Sequence, residues 1–141
     1  MATKSRRLDH LAAVPLFSAC SKRDLQKIER ASDEIGVEAG RVLVDQGQTG
    51  REAFVIVEGT AVVRRSGRKI ATLGPGDYFG ELALLDRGPR TASVEAETPM
   101  KVLVLGQREF AGVIDEVPGL AHKLMASLAA RIRDLDNKIF A

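Results

Sequence analysis

A chain of 141 residues that is 45% hydrophobic and 28% charged has the size of one globular domain, and folding at that length buries roughly two-thirds of the extended-chain surface. One cysteine, Cys20, rules out an intrachain disulfide, no clustered Cys/His spacing reads as a zinc site, and a formal charge of +2 does not by itself argue for nucleic acid. No apolar run follows MATKSRRLDHL as an export signal requires, and runs such as AFVIV at 53–57 are too short to span a bilayer, so a cytoplasmic chain without membrane contact is expected.

In chain order, residues 8–32 carry apolar positions at Leu8, Leu11, Leu16, Phe17, Leu25 and Ile28, with Pro15 interrupting and Ser21 standing as an N-cap before KRDLQKIERA. This predicts two short N-terminal helices. Between residues 40 and 105 the pattern changes to short β-branched runs punctuated by glycine: RVLVD, AFVIVEG, TAVVRR, KIATLG, ASVEA and MKVLVLG. Brief strands with turn signals between them predict a mainly β fold, an antiparallel β-roll of the jelly-roll kind with flanking helices. Helical spacing returns after Gln107, and Pro118-Gly119 separates a last helix from Leu120 to about Phe140. Its positions Leu120, Leu124, Leu128, Ile132, Leu135 and Ile139 form one apolar stripe, widened by Ala121, Met125 and Ala129. Such a stripe must cover the roll, a bound ligand or a second chain. With no internal repeat or low-complexity linker, the expectation is a single unit over 1–141, divided into N-terminal helices (8–32), roll (40–105) and C-terminal helices (107–140).

The chemistry concentrates in FGELALLDRGPRTASV, residues 79–94. GPGDYFG at 74–80 is a glycine-rich turn at a strand end, and ELALL favours a helical turn or two over a strand. A short helix starting at Gly80 leaves the backbone N–H groups of Glu81, Leu82 and Ala83 without intrahelical partners, which suits an anion. Gly80 lets a ligand approach the main chain. Arg90, preceded by the restricting Pro89, offers a planar fork for phosphate oxygens. Glu81 repels a phosphate but accepts hydrogen bonds from a ribose hydroxyl; phosphate plus sugar means nucleotide.

Each of these residues has a plainer reading when taken alone. Arg90 by itself is a solvated arginine and Glu81 a helix-start carboxylate, and only their joint spacing favours a ligand. Gly74, Gly76 and Gly80 miss the dinucleotide fingerprint by one residue and read as a turn. The basic hairpin VVRRSGRKI reads as a protected sheet edge rather than a surface for an acidic partner. Cys20 reads as core, and His10 and His122 as isolated, exposed side chains. A cupin-like metalloenzyme needs clustered histidines and carboxylates, which two distant histidines do not supply, so no catalytic residue and no metal ligand is nominated.

FGELALLDRGPRTASV resembles the phosphate-binding cassette of cyclic nucleotide-binding domains, as in kinase regulatory subunits, the catabolite activator family and cyclic-nucleotide-gated channels. The resemblance extends to LAAVPLFSACSKRDLQKIERASDEIGVEAGRVLVDQGQTG, AFVIVEGTAVV and LGPGDYFGE, and so covers nearly the whole chain. It implies that Gly80, Leu82 and Ala83 offer backbone groups, Glu81 holds the ribose 2′-hydroxyl, Arg90 holds the cyclic phosphate and Thr91 lies near the base. It further implies a short phosphate-binding helix, no cofactor beyond the ligand (cyclic AMP, preferred, or cyclic GMP), and a C-terminal helix that moves when ligand binds. The base would lie under that helix, with Ile139 or Phe140 as a cap. The partners implied are the nucleotide and either an effector protein or a second copy through the last helix. Two departures stand out. Many members place an acidic residue after the second glycine of the turn, where Gly47-Gln48-Thr49-Gly50 leads here into Arg51, and KIFA ends the chain without a helix-turn-helix, so no recognition helix for nucleic acid is expected. The alternative reading is an interaction or transcription-regulator module with a vestigial pocket.

Overall fold

A computed structural model describes residues 4–14, 17, 20–80, 88–117 and 119–140. The first helix, α1, spans Lys4–Ala13 and the second, α2, Lys22–Ala31. Ser21 caps α2 as its sequence position predicts: its Oγ accepts from the Asp24 amide at 3.1 Å while Asp24 Oδ2 accepts from the Ser21 amide at 3.2 Å. This reciprocal pair satisfies two otherwise orphaned donors. Leu25 and Ile28, three residues apart and therefore on one face, are both buried. Arg7 ties α1 to its neighbours through Glu29 at 3.0 Å and Glu34 at 3.8 Å.

Eight strands follow among the described residues: β1 Asp33–Val37, β2 Val42–Val44, β3 Glu52–Glu58, β4 Ala61–Arg65, β5 Arg68–Leu73, β6 Tyr78–Phe79, β7 Ser93–Ala96 and β8 Met100–Gly106. They form two antiparallel four-stranded sheets, ordered β1-β8-β3-β6 and β2-β7-β4-β5. The six runs expected from the sequence are all present. The roll nevertheless begins at Asp33 rather than near residue 40, because β1 is held by its main chain: it pairs with β8 from Asp33↔Val104 to Val37↔Met100 although its DEIGV sequence has no β pattern. The other added strand, β6, pairs two residues with Phe54 and Val55 inside what reads as a glycine-rich turn. Ser66 and Gly67 turn the β4–β5 hairpin, both with positive φ (52° and 79°), the pairing that suits the twist of a two-residue hairpin.

β3 separates two cores. Ala53, Val55 and Val57 face a helical layer of Leu8, Leu11, Leu25 and Ile28 from α1 and α2, joined by Phe110 and Val113 from α3 (Gln107–Glu116) and Leu120 and Leu124 from α4 (Leu120–Phe140). The alternate residues Phe54 and Ile56 point into the roll with Val44, Phe79, Val94 and Val102. Burial on both faces explains why β3 reads as an unbroken apolar run. The Phe54 and Phe79 rings stack at 4.9 Å between centroids. Lys27 Nζ donates to the Glu116 carbonyl at 3.2 Å, a cation at the C-terminal end of α3.

The apolar stripe of α4 divides. Leu120 and Leu124 are buried in the helical core, Leu128 is half-buried, and Met125 and Ile132 are 62% and 60% exposed. The start of the helix therefore covers its own roll. The side chains of Leu135, Ile139 and Phe140, and with them the cap expected over a base, lie outside the described residues. Cys20 is half-buried against the helical core; burial pushes its thiol up, the Asp24 charge adds to the shift and Lys123 opposes it. His122 is exposed as expected, whereas His10 is half-buried.

Ser21→Ala removes the side-chain half of the capping box without touching the core, and urea denaturation should show a loss of about 1 kcal/mol.

Candidate functional site

The site is assembled around Arg90 by the loop between β2 and β3. That loop pairs with the segment before β7 as a short antiparallel ladder: the Gly47 amide donates to the Arg90 carbonyl at 2.9 Å, the Arg90 amide donates to the Gln48 carbonyl at 2.8 Å, and Thr49 bridges Pro89. Pro89 has no N–H to contribute, so the residues flanking the bridge carry these bonds. The main chain of Arg90 is thereby fixed before any ligand is considered.

Its side chain then runs across two bare stretches of backbone. At Gly50 a Cβ would collide with the Arg90 guanidinium. At Gly80, where φ is +81°, a Cβ would lie 2.8 Å from Arg90 Nη1 and 3.0 Å from the Glu52 carbonyl oxygen. Arg90 Nη1 donates to the Gly80 carbonyl at 3.1 Å. Gly80 is thus required by its own backbone conformation and by crowding from Arg90 and Glu52, in addition to the close ligand approach the sequence suggested.

A second set of bonds joins the hairpin tip to the same loop. The Gln46 amide donates to Ser93 Oγ at 2.9 Å, and Ser93 Oγ donates to Asp45 Oδ1 at 3.0 Å. Gln46 Oε1 accepts from the amide of Ser66, the one non-glycine with positive φ among the described residues, at 2.7 Å. Arg65 Nε donates to the Thr91 carbonyl at 3.1 Å, so Arg90 and Thr91 are held from the loop on one side and from β4 on the other.

Arg90 borders two cavities. One, of about 260 Å³, has apolar walls from Val44, Val63, Leu73 and Val94, with Tyr78, Gly80, Arg90, Thr91 and Arg65 also around it. The other, of about 270 Å³, lies on the Gly50 side with Asp45, Gln48, Thr49, Arg51 and Glu52. Among the described residues Arg51 borders the second cavity and not the first. The Arg90 side chain is held on the Gly80 carbonyl and its main chain by the paired loop. A third hollow, of about 620 Å³, adjoins Arg51, Arg108 and the start of α3, where Glu109 already lies against Gly106.

Of the residues nominated from sequence, Gly80, Arg90 and Thr91 come together at the first cavity. Glu81, Leu82 and Ala83, with the short helix expected there, lie outside the described residues. Sequence reasoning missed Gly50, whose only signal was its place in a two-glycine turn, and Arg65, which was read as part of a charged edge. It also missed Gln46, which bonds Ser93 and Ser66, and Gln48, whose carbonyl accepts from the Arg90 amide. Among the described residues no group of three or more His, Cys, Asp or Glu side chains is placed to hold a metal ion. A guanidinium pinned over bare backbone beside an apolar hollow can take an anion carrying a flat apolar body.

Comparison with known proteins agrees with this chemistry. The family model described as "Cyclic nucleotide-binding domain" matches residues 34–117, and the chain belongs to that family. It is 34% identical over 136 residues to the cAMP-dependent protein kinase regulatory subunit of Mycosarcoma maydis, covering 87% of this chain and 26% of that protein. It is 35% identical over 102 residues to the Cyclic AMP receptor protein of Thermus thermophilus, covering 69% and 47%. Among solved structures, the N-terminal domain of a transcriptional regulator from Streptomyces coelicolor superposes with a TM-score of 0.81 at 31% identity, covering 92% of this chain and 94% of that one. The chain spans less than half the length of these two curated relatives. The first is named as a regulatory subunit and the second as a receptor protein, and no helix among the described residues is long and apolar enough to cross a membrane.

The two glycines under Arg90 should respond differently to a methyl group. Gly80→Ala places a side chain at positive φ against a carbonyl and should lose about 1–3 kcal/mol in denaturant unfolding. Gly50→Ala displaces only a movable arginine and should lose less than about 1 kcal/mol.

Proposed function

We propose that this chain is a non-catalytic sensor of cyclic nucleotides, with cyclic AMP preferred over cyclic GMP, acting as one unit across residues 1–141. The observation that carries this reading is the Arg90 guanidinium laid over Gly50 and bonded to the Gly80 carbonyl beside an apolar hollow. A cyclic phosphate accepts from Arg90 and from the backbone at Gly80, Leu82 and Ala83. Glu81 accepts from the ribose 2′-hydroxyl, and Thr91 lies at the base. The preference for cyclic AMP is supported by the names of the relatives from Mycosarcoma maydis and Thermus thermophilus.

The output is a change in α4. A ligand shifts a conformational equilibrium only by binding one arrangement better than the other. Among the described side chains of α4, Met125 and Ile132 keep apolar surface to bury against the ligand, an effector protein or a second copy of the chain.

Calorimetric titration with both cyclic nucleotides tests the sensor. Arg90→Ala should lose roughly 2–4 kcal/mol of nucleotide affinity with its unfolding midpoint retained, because charge-assisted bonds to a partly buried phosphate are removed; binding within about threefold of the parent would count against the assignment. Gly50→Ala should weaken binding in the same direction by moving that guanidinium. In Glu81→Ala a 2′-deoxy nucleotide should bind as well as its parent. Hydrogen exchange in α4 should change when nucleotide is added, and an unchanged helix would separate binding from signalling. Silence with both nucleotides would instead favour a vestigial pocket that only scaffolds its surroundings.

A further inference from the structure

The two sheets end in β1 and β6 and in β2 and β5, and these edges are not equal. β6 has two residues, β2 three and β1 five, whereas β5 has six, every one exposed except Leu73. Alternate residues of an edge strand turn their N–H and C=O groups away from the neighbouring strand. Among the described residues, Arg68–Leu73 makes no backbone bond beyond its pairing with β4. That pairing contains an extra residue: Val63 faces Ala71 and Arg64 faces Lys69, which leaves Ile70 with no residue opposite it. A bulge of this kind re-aims a side chain, and Ile70 is 50% exposed. All four ionisable side chains of the hairpin, Arg64, Arg65, Arg68 and Lys69, are cationic. Arg64 lies 3.9 Å from Glu95 and Arg65 is committed to the Thr91 carbonyl, while Arg68 and Lys69 have no ion-pair partner among the described residues. Such charges guard an edge against another basic strand and attract an acidic one.

We propose that β5 is a docking edge for an extended acidic segment of an effector protein, which joins the β2-β7-β4-β5 sheet as an added strand. The main chain of that segment pairs with the outward backbone groups of Arg68–Leu73, its carboxylates meet Arg68 and Lys69, and one apolar side chain covers Ile70. The backbone row supplies most of the attraction, and the two cations with the bulged isoleucine supply the choice of partner. A nucleic-acid strand fits less well. It would use the cations but leave the backbone row and Ile70 uncovered, and the hairpin has no aromatic side chain on which a base could stack. The hairpin that reads in the sequence as simple edge protection therefore turns away one class of strand and accepts another. This edge lies outside the nucleotide pocket, so the proposal stands or falls without any nucleotide bound.

The test is amide NMR of the full chain titrated with a capped peptide of about eight residues that alternates glutamate and valine. Saturable shifts should centre on Arg68–Leu73. The same peptide with lysine in place of glutamate should leave the spectrum unchanged. N-methylation of alternate peptide residues, which removes the edge bonds and keeps every charge, should weaken binding at least about tenfold. Arg68→Glu combined with Lys69→Glu should weaken it by a similar factor, and Ile70→Ser by several-fold. These side chains are exposed, so the unfolding midpoints should match the parent's. No saturable binding to the parent, shifts centred elsewhere, or equal binding of the lysine or N-methylated peptide would overturn the proposal. Tighter binding of a single-stranded DNA oligonucleotide at the same residues would overturn it in favour of nucleic acid. A peptide-independent dimer that the double reversal abolishes would overturn it in favour of a second copy of the chain.

Discussion

One side chain cannot take its place unless the backbone gets out of the way. Arg90 passes over Gly50 and ends against Gly80, and a methyl group at either position meets the guanidinium or the carbon that carries it. The rest of the site serves that passage. The β2–β3 loop holds the Arg90 main chain in a short ladder, and Gly80 adopts a backbone conformation that aims its carbonyl at Nη1. Charge-assisted bonds of this kind depend on geometry set in advance, since a long flexible side chain otherwise loses considerable rotamer entropy on being fixed.

That arrangement is joined to the helical layer by a short route through the main chain. Arg51 follows Gly50 directly, and its carbonyl accepts from the amide of Gln107, the first residue of α3, at 2.9 Å. The next residue, Glu52, begins β3 and supplies the carbonyl that crowds Gly80. A stretch of a few residues therefore touches Arg90, the strand dividing the cores and the start of the C-terminal helices. It is the main chain of Arg51 that makes the bond to Gln107.

Much of this was legible in the sequence, and the parts that were not share a cause. Ser21 and Asp24 announced the start of α2 because capping is a contact between near neighbours. Gly80, Arg90 and Thr91 were legible because their spacing is a motif. β1 and β6 were not: DEIGV lacks alternation and YF is two residues long, and each exists because another strand offers main-chain partners. Arg65 was hidden for a similar reason. Its neighbours Arg64, Arg68 and Lys69 are exposed and charged like it, and only the sense of alternation at the end of β4 distinguishes the arginine at the hollow from the one at Glu95. Gly50 was visible as part of a turn, but nothing local says which side chain will cross it from forty residues away.

The dividing strand has a further implication for how the roll finds its alignment. With five successive buried apolar residues, Ala53 to Val57, sliding β3 by one position would exchange its faces without exposing anything oily. Water therefore exerts little selection on its register, unlike a strand with one wet face. Size must decide instead: Phe54 and Ile56 need the room beside Phe79, while the slimmer Ala53, Val55 and Val57 fit under the helices. An irregular step opposite β8 between Ile56 and Glu58 marks where that alignment ends. Exchanging Ala53 and Phe54 would leave the mean hydropathy of the chain unchanged and still put the bulk on the wrong face of the sheet that positions Gly80.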